Sequence, residues 1–273
     1  WNACLMPSAM HPWMNPEREM ELWPYDCNVI YKAFNRIFNC HGHGWANLQS
    51  AHINLPFAND EEFRRLHAAI RVVLPLLPAL AASSPVMDNA CNGVMDNRLR
   101  VYSSNCARIP QITGKVVPEP VGSRQEYETA ILAPIYQALR PLDSAGTLCH
   151  EWANARGAIA RFDRNSIEIR LLDIQECPGA DIAIATLVCA VVRALVEERF
   201  VTIEQMNALP TENLHAVLMD VIRDGDTALL NYPDLARCLG ISEATQPMSA
   251  VWRHLAASCL PHDSPVHPTL EIL

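Results

Sequence analysis

The stretch EWANARGAIARFDRNSIEIRLLD, residues 151–173, decides how the rest of the chain is read. Its second half, 166–174, alternates as a β-strand. Ile167, Ile169 and Leu171 share one face at period two, and Glu168 and Arg170 share the other, with Leu172 beside them. A rise of ~3.3 Å per residue holds that carboxylate and guanidinium about 7 Å apart along the strand. The pair suits a metal ligand next to an anion clamp, because hard cations take carboxylate oxygens and Arg grips oxyanions with a bidentate fork. A cross-strand ion pair on a solvated face is the plainer alternative. Just upstream, Arg156, Arg161 and Arg164 gather, with Gly157 between the first two, where a backbone without Cβ can approach a phosphate.

A second strand lies far upstream, at 48–57 (LQSAHINLPF). Ala51, Ile53 and Leu55 form one face; Ser50, His52 and Asn54 form the other, and Pro56 marks an end or an edge. Two strands with one-sided polarity call for an antiparallel sheet with helices on its apolar face. The fold class is therefore α+β. The helices are predicted at 59–83, with kinks at Pro75 and Pro78, and at 180–199, the most apolar run. Shorter ones are predicted at 96–106, 124–139, 204–209, 212–223, 232–239 and 249–259. Residues 109–122 read as an ordered loop able to act as a lid.

The chain has 273 residues, half of them hydrophobic, which suits a single domain over 1–273 with a sizeable core. A formal charge of −9 argues against a general nucleic-acid surface and leaves room for a local basic pocket. The ten cysteines are scattered with no CxxC, so they read as free thiols of a reducing, cytoplasmic protein. The apolar run at 182–196 is short for a membrane span and carries Arg193. The sequence has no GxxxxGK[ST], GxSxG or HExxH. Cys40, His41 and His43 in CHGHGW are zinc-ligand types, but no second pair stands at finger spacing.

Three segments in one order resemble the glutamate–cysteine ligase and carboxylate–amine ligase family of the glutamine-synthetase-like superfamily. They are GWANLQSAHINLPF, the helix through LLPALAASSPV, and ARFDRNSIEIRLLDIQECP, with Arg98 between the last two. The resemblance covers roughly residues 40–190 and implies an ATP-dependent enzyme acting with Mg²⁺ or Mn²⁺. His52 and Glu168 would then be metal ligands. Arg156, Arg161, Asn54 and Gln49 would face the nucleotide, Arg98 and Arg170 would hold substrate, and the three arginines 156, 161 and 170 would serve the chemistry. Gln49 has the wrong parity for the His52 face unless the strand begins after it or bulges.

The implied substrates are glutamate or a similar carboxylate and cysteine or another amine. The implied product is of the γ-glutamyl-cysteine kind, the chemistry of glutathione biosynthesis. An amine does not attack a carboxylate directly, since its charge repels the nucleophile and oxide leaves poorly; phosphorylation removes both obstacles. No partner macromolecule or membrane is implied, and a homo-oligomer is compatible with all of this.

One departure stands out. The family begins with a strand carrying an E-x-E pair, and PEREMELWP at 16–24 lacks the alternation of such a strand. The fold is accordingly expected to be N-terminally incomplete, with an inactive fragment or a non-catalytic binding module as the alternatives to an active ligase. A zinc hydrolase using His41, His43 and His52 is the third reading.

Overall fold

The computed structural model describes residues 6–242 and 245–271, so Cys4 lies outside the described residues. Helix α1 (Asn28–Phe38) leads to strand β1 (Ser50–Pro56). Helix α2 (Asp60–Val73) follows at once. The Asn59 side chain accepts from the Glu62 N–H, while Glu62 returns to the N–H of Ala58, one residue further back than a capping box requires. Asp60, Glu61 and Glu62 place negative charge at the positive end of this helix. The kink expected at Pro75 is a tightened turn, Leu74–Leu76, after which Leu77–Ala81 resumes the α conformation.

Helix α3 (Asn97–Tyr102) is capped by Asp96, which accepts from the Leu99 N–H. The helix expected over 124–139 contains a π turn at Glu128–Leu132, directly before Pro134, whose missing N–H breaks the regular ladder. Then come β2 (Ala158–Arg161), β3 (Ser166–Asp173), α4 (Pro178–Val196), α5 (Thr211–Asp224) and α6 (Met248–Cys259). By length and composition α4 is apolar enough to cross a membrane, with a mean hydropathy of 2.0 over its window, but half of that window is buried in this fold. It packs on α2 and α6.

The sheet has the order β1–β3–β2 and is antiparallel throughout. The short β2 is not visible in the sequence pattern: four residues, AIAR, are too few to show a period. It joins β3 through a tight turn in which Asn165 adopts a left-handed φ of 51°. Ile53 pairs with Ile169, and Leu55 with Ile167; Ala158 and Ala160 flank the same two isoleucines from the other side. These residues share one buried core with Phe63, Leu66 and Ile70 of α2. The helix-covered face is therefore the apolar one, and Asn54, Glu168 and Ile159 lie across the sheet on the other.

The β1–β3 register slips once. Ile53 faces Ile169 but Ala51 faces Leu172, so Arg170 and Leu171 together oppose His52. This bulge flips the parity of the residues after it. Leu172, expected beside Glu168 and Arg170, instead faces Ala51, and Asp173 is brought opposite Ser50.

The segment 109–122 is not a free lid. Ile112, Val116, Val117 and Val121 are buried, and the Gly157 N–H donates to Val116 O at 2.7 Å. Val116 holds a φ of 65°, a region unfavourable to a β-branched residue, so packing imposes this conformation.

Gly157 is required by a close approach. A Cβ there would lie 2.7 Å from the Leu171 side chain, inside the bulge. Gly157→Ala should lower stability by about 1–3 kcal/mol through overpacking. Urea denaturation measures this, and the loss should shrink in a Leu171→Ala background, where the clash is gone.

Candidate active site

On the polar face, Glu168 is the meeting point of three cationic or cation-forming side chains. Arg170 Nε donates to Glu168 Oε1 at 2.7 Å, His52 Nδ1 lies 3.4 Å from the same oxygen, and Arg161 Nη1 lies 3.5 Å from Oε2. Strand pairing produces this convergence. His52 sits on β1 opposite the bulge, Glu168 and Arg170 are neighbours on one face of β3, and Arg161 closes β2 opposite Ser166. The approach of His52 and Glu168 expected from the sequence is thus observed. His52 Nε2 is 2.8 Å from Ser50 Oγ, so a neutral ring with its proton on Nδ1 can donate to Glu168 and accept from Ser50.

Glu168 is buried, while His52 and Asn54 on the sheet-edge strand β1 are exposed, so the cluster opens along that edge. The contact with His52, followed by the Arg170 charge, holds the Glu168 carboxyl down at about 2 against the upward push of burial. Arg161 also lies 3.1 Å from Asp163 Oδ2 and 3.9 Å from Glu151 Oε2. Burial raises the Glu151 carboxyl, and a hydrogen bond shared with Asp163 adds to that. The sequence pattern does not single out residues 151 and 163; their places flank β2, a strand too short to be read from its residues.

The other expected site residues lie elsewhere. Arg156 is buried and turned away from the cluster. Its Nε and Nη2 grip Glu119 at 2.6 Å each, and its Nη1 donates to Gln111 O and Asn154 Oδ1, so as placed it anchors the 110–119 segment. Arg98 is also buried, with Nε on Asp173 and Nη1 directed at Arg170 O. It stands behind Arg170 and not on the open face. Gln49 precedes β1, is exposed, and donates its backbone N–H to Ala9 O. Arg164 points outward beside Asp163. His43 pairs with Asp88 at 3.1 Å, and His41 is exposed. The nine cysteines among the described residues are free.

Residues 5–260 match the family described as Glutamate-cysteine ligase family 2 (GCS2). The chain belongs to this family. An uncharacterized protein of Archaeoglobus fulgidus is 38% identical over 224 residues, which cover 80% of this chain and 60% of that relative. The match therefore spans less than two thirds of the relative's length. The polar wall around Glu168 lies within the matched residues.

For Mg²⁺, no group of three His, Cys, Asp or Glu side chains able to hold a metal occurs among the described residues. That does not suit an all-protein metal cage. It does suit the usual manner of Mg²⁺, which keeps water and binds through one or two carboxylates plus substrate phosphates. Glu168 can be such a carboxylate, with Arg161 and Arg170 beside it to meet the phosphate charge.

The pairing of Glu168 makes stability depend on pH. Glu168 titrates at about 2 when folded and near its ordinary 4.5 when unfolded. Its contribution to stability is complete above that ordinary value and is lost as pH falls towards the folded one. The stability difference between wild type and Glu168→Gln should therefore fade between about pH 5 and pH 2, by about 3 kcal/mol at most. Urea melts at stepped pH check it; a difference independent of pH across that window would contradict the pairing.

Proposed function

We propose that this chain is the catalytic wall of an ATP-dependent carboxylate–amine ligase that makes an amide through an acyl phosphate. One observation carries the proposal. A buried carboxylate held well below its ordinary range, Glu168, sits between Arg161, Arg170 and His52 on the polar face of the sheet beside its exposed edge strand, in a member of glutamate–cysteine ligase family 2. The substrates would be glutamate or a similar carboxylate and cysteine or another amine. The free cysteines support a reducing, cytoplasmic setting.

When bound, Mg²⁺ or Mn²⁺ would neutralise phosphate charge, with Glu168 and His52 as its protein neighbours. The protein's own share is alignment and charge. Arg161 and Arg170 would hold phosphoryl oxygens, and Asn54, exposed at the edge, would donate to the nucleotide. The substrate carboxylate would attack the terminal phosphate, releasing ADP, and the amine would then displace phosphate from the acyl group. Arg170 is best placed for the transferred group, because its Nη1 and Nε are already aligned by Asn154 O and Glu168. Arg156 would act at one remove, by setting the 110–119 segment, and Arg98 from behind Arg170.

A second reading is a non-catalytic binding module on the same sheet. It is favoured by the single carboxylate at the cluster's centre, where both oxygens already face cations.

Arg170→Lys separates the two. It keeps the charge and loses the fork. In the ligase, ADP release with glutamate and a panel of amines should fall about 10²–10³-fold, as when one preorganised donor to a transition state is removed. Arg164→Lys, on the solvent side, should release ADP at the wild-type rate. Wild-type turnover in Arg170→Lys would remove this residue from the chemistry, and no ADP release from wild type with any amine would favour the binding module.

A further inference from the structure

We infer that Arg98 and Asp173 are positioning residues for Arg170: their buried ion pair locks the β3 bulge that aims the Arg170 guanidinium at Glu168. This role deepens the ligase reading and takes its functional meaning from it.

The geometry begins with the bulge. Arg170 and Leu171 together oppose one residue, so the ladder alone does not fix the direction of the Arg170 side chain. The Arg170 N–H is satisfied by Gly157 O at 2.8 Å. Its carbonyl faces Arg98 Nη1 at 3.4 Å. Three residues on, Asp173 takes Arg98 Nε on one oxygen, and on the other the Ser83 N–H and Ser84 Oγ–H, both at 2.9 Å. One guanidinium therefore spans the bulge, touching the backbone at its start and the carboxylate at its end.

The ion pair also selects the bulged register. Without the extra residue, Asp173 would change parity and fall on the helix-packed apolar face, where a carboxylate has no partner. Placing it opposite Ser50 brings it to Arg98 instead. Helix α3 supplies a second support one turn later. Tyr102 lies near the Arg170 guanidinium, and its hydroxyl is 3.5 Å from Arg156 O. The buried carboxyl of Asp96 caps this helix. Burial, and then the neighbouring Asp173 carboxylate, push it well above the ordinary carboxyl range.

The test is the Arg Nε–H region of the ¹⁵N spectrum of the full chain, with the Arg170 signal assigned by its loss in Arg170→Lys. In wild type this proton is held by Glu168 at 2.7 Å and should exchange slowly. In Arg98→Lys and in Asp173→Asn the signal should lose its protection and move to the position of solvent-exposed guanidinium groups, while core methyl signals stay dispersed. Ser84→Ala, which removes one bond to Asp173 and no charge, should shift it part of the way and keeps the test open where the charge variants do not fold. Asp96→Asn should leave it in place, since an Asn still caps α3 and Asp96 does not touch Arg170 or Arg98 through its side chain. An unmoved Arg170 signal in any folded Arg98, Asp173 or Ser84 variant overturns the inference.

ADP release gives the second arm. Arg98→Lys should lower kcat with little change in nucleotide KM, and adding it to Arg170→Lys should bring no further loss. If the Arg170 signal moves but wild type releases no ADP, the positioning stands and the ligase reading fails. If ADP is released and the signal stays, the reverse holds.

Discussion

One carboxylate faced by two guanidinium groups and an imidazole is the constraint on which the polar face depends. Glu168 is buried and ionised, so it must be compensated; Arg170, His52 and Arg161 do this from the same strand, the strand before it in space and the strand after it. A buried ion cluster of this kind is weak evidence for stability, because desolvation can outweigh the attraction. Its retention makes better sense as a prepared electrostatic surface. Two guanidinium groups are held close together with one carboxylate between them, the arrangement on which the proposed nucleotide site rests.

The rest of the fold keeps those strands in register. The apolar face of the sheet rests on Phe63, Leu66 and Ile70 of α2, and α4 packs behind that helix. At the far end, Gly157 leaves room for Leu171, and Arg98 with Asp173 holds the chain where it departs from regular pairing. Arg156 performs a parallel task for the 110–119 segment. Its grip on Glu119 and Gln111 anchors the segment in which packing holds Val116 in an unfavourable backbone region. Two of the basic residues are thus internal braces, and two meet Glu168.

Much of this is legible in the sequence where a period is long enough to show. Alternation from Ser166 to Leu171 in β3 and across the seven residues of β1 identifies the strands, their polar faces and the His52–Glu168 approach. The hidden part rests on physics that a linear pattern does not carry. The four residues of β2 are too short for a period, so Glu151 and Asp163 cannot be placed around Arg161. The bulge obeys no local rule in SIEIRLLD, and one extra residue moves Leu172 and Asp173 to opposite faces from those expected. Arg98 and Arg156 look like any other arginine until burial shows that their partners are Asp173 and Glu119. The 109–122 segment, rich in Pro and Gly, reads as a lid, yet its valines belong to the core.

The most direct measurement is an NMR titration of the full chain with Mg²⁺ and a non-hydrolysable ATP analogue, following His52, Asn54, Arg161, Glu168 and Arg170. Their signals should shift together, saturate at one nucleotide concentration, and respond far less to the analogue without the metal. Saturable binding that leaves these five residues unmoved, or no shift at any concentration reached, would contradict the assignment of the Glu168 face as the nucleotide wall.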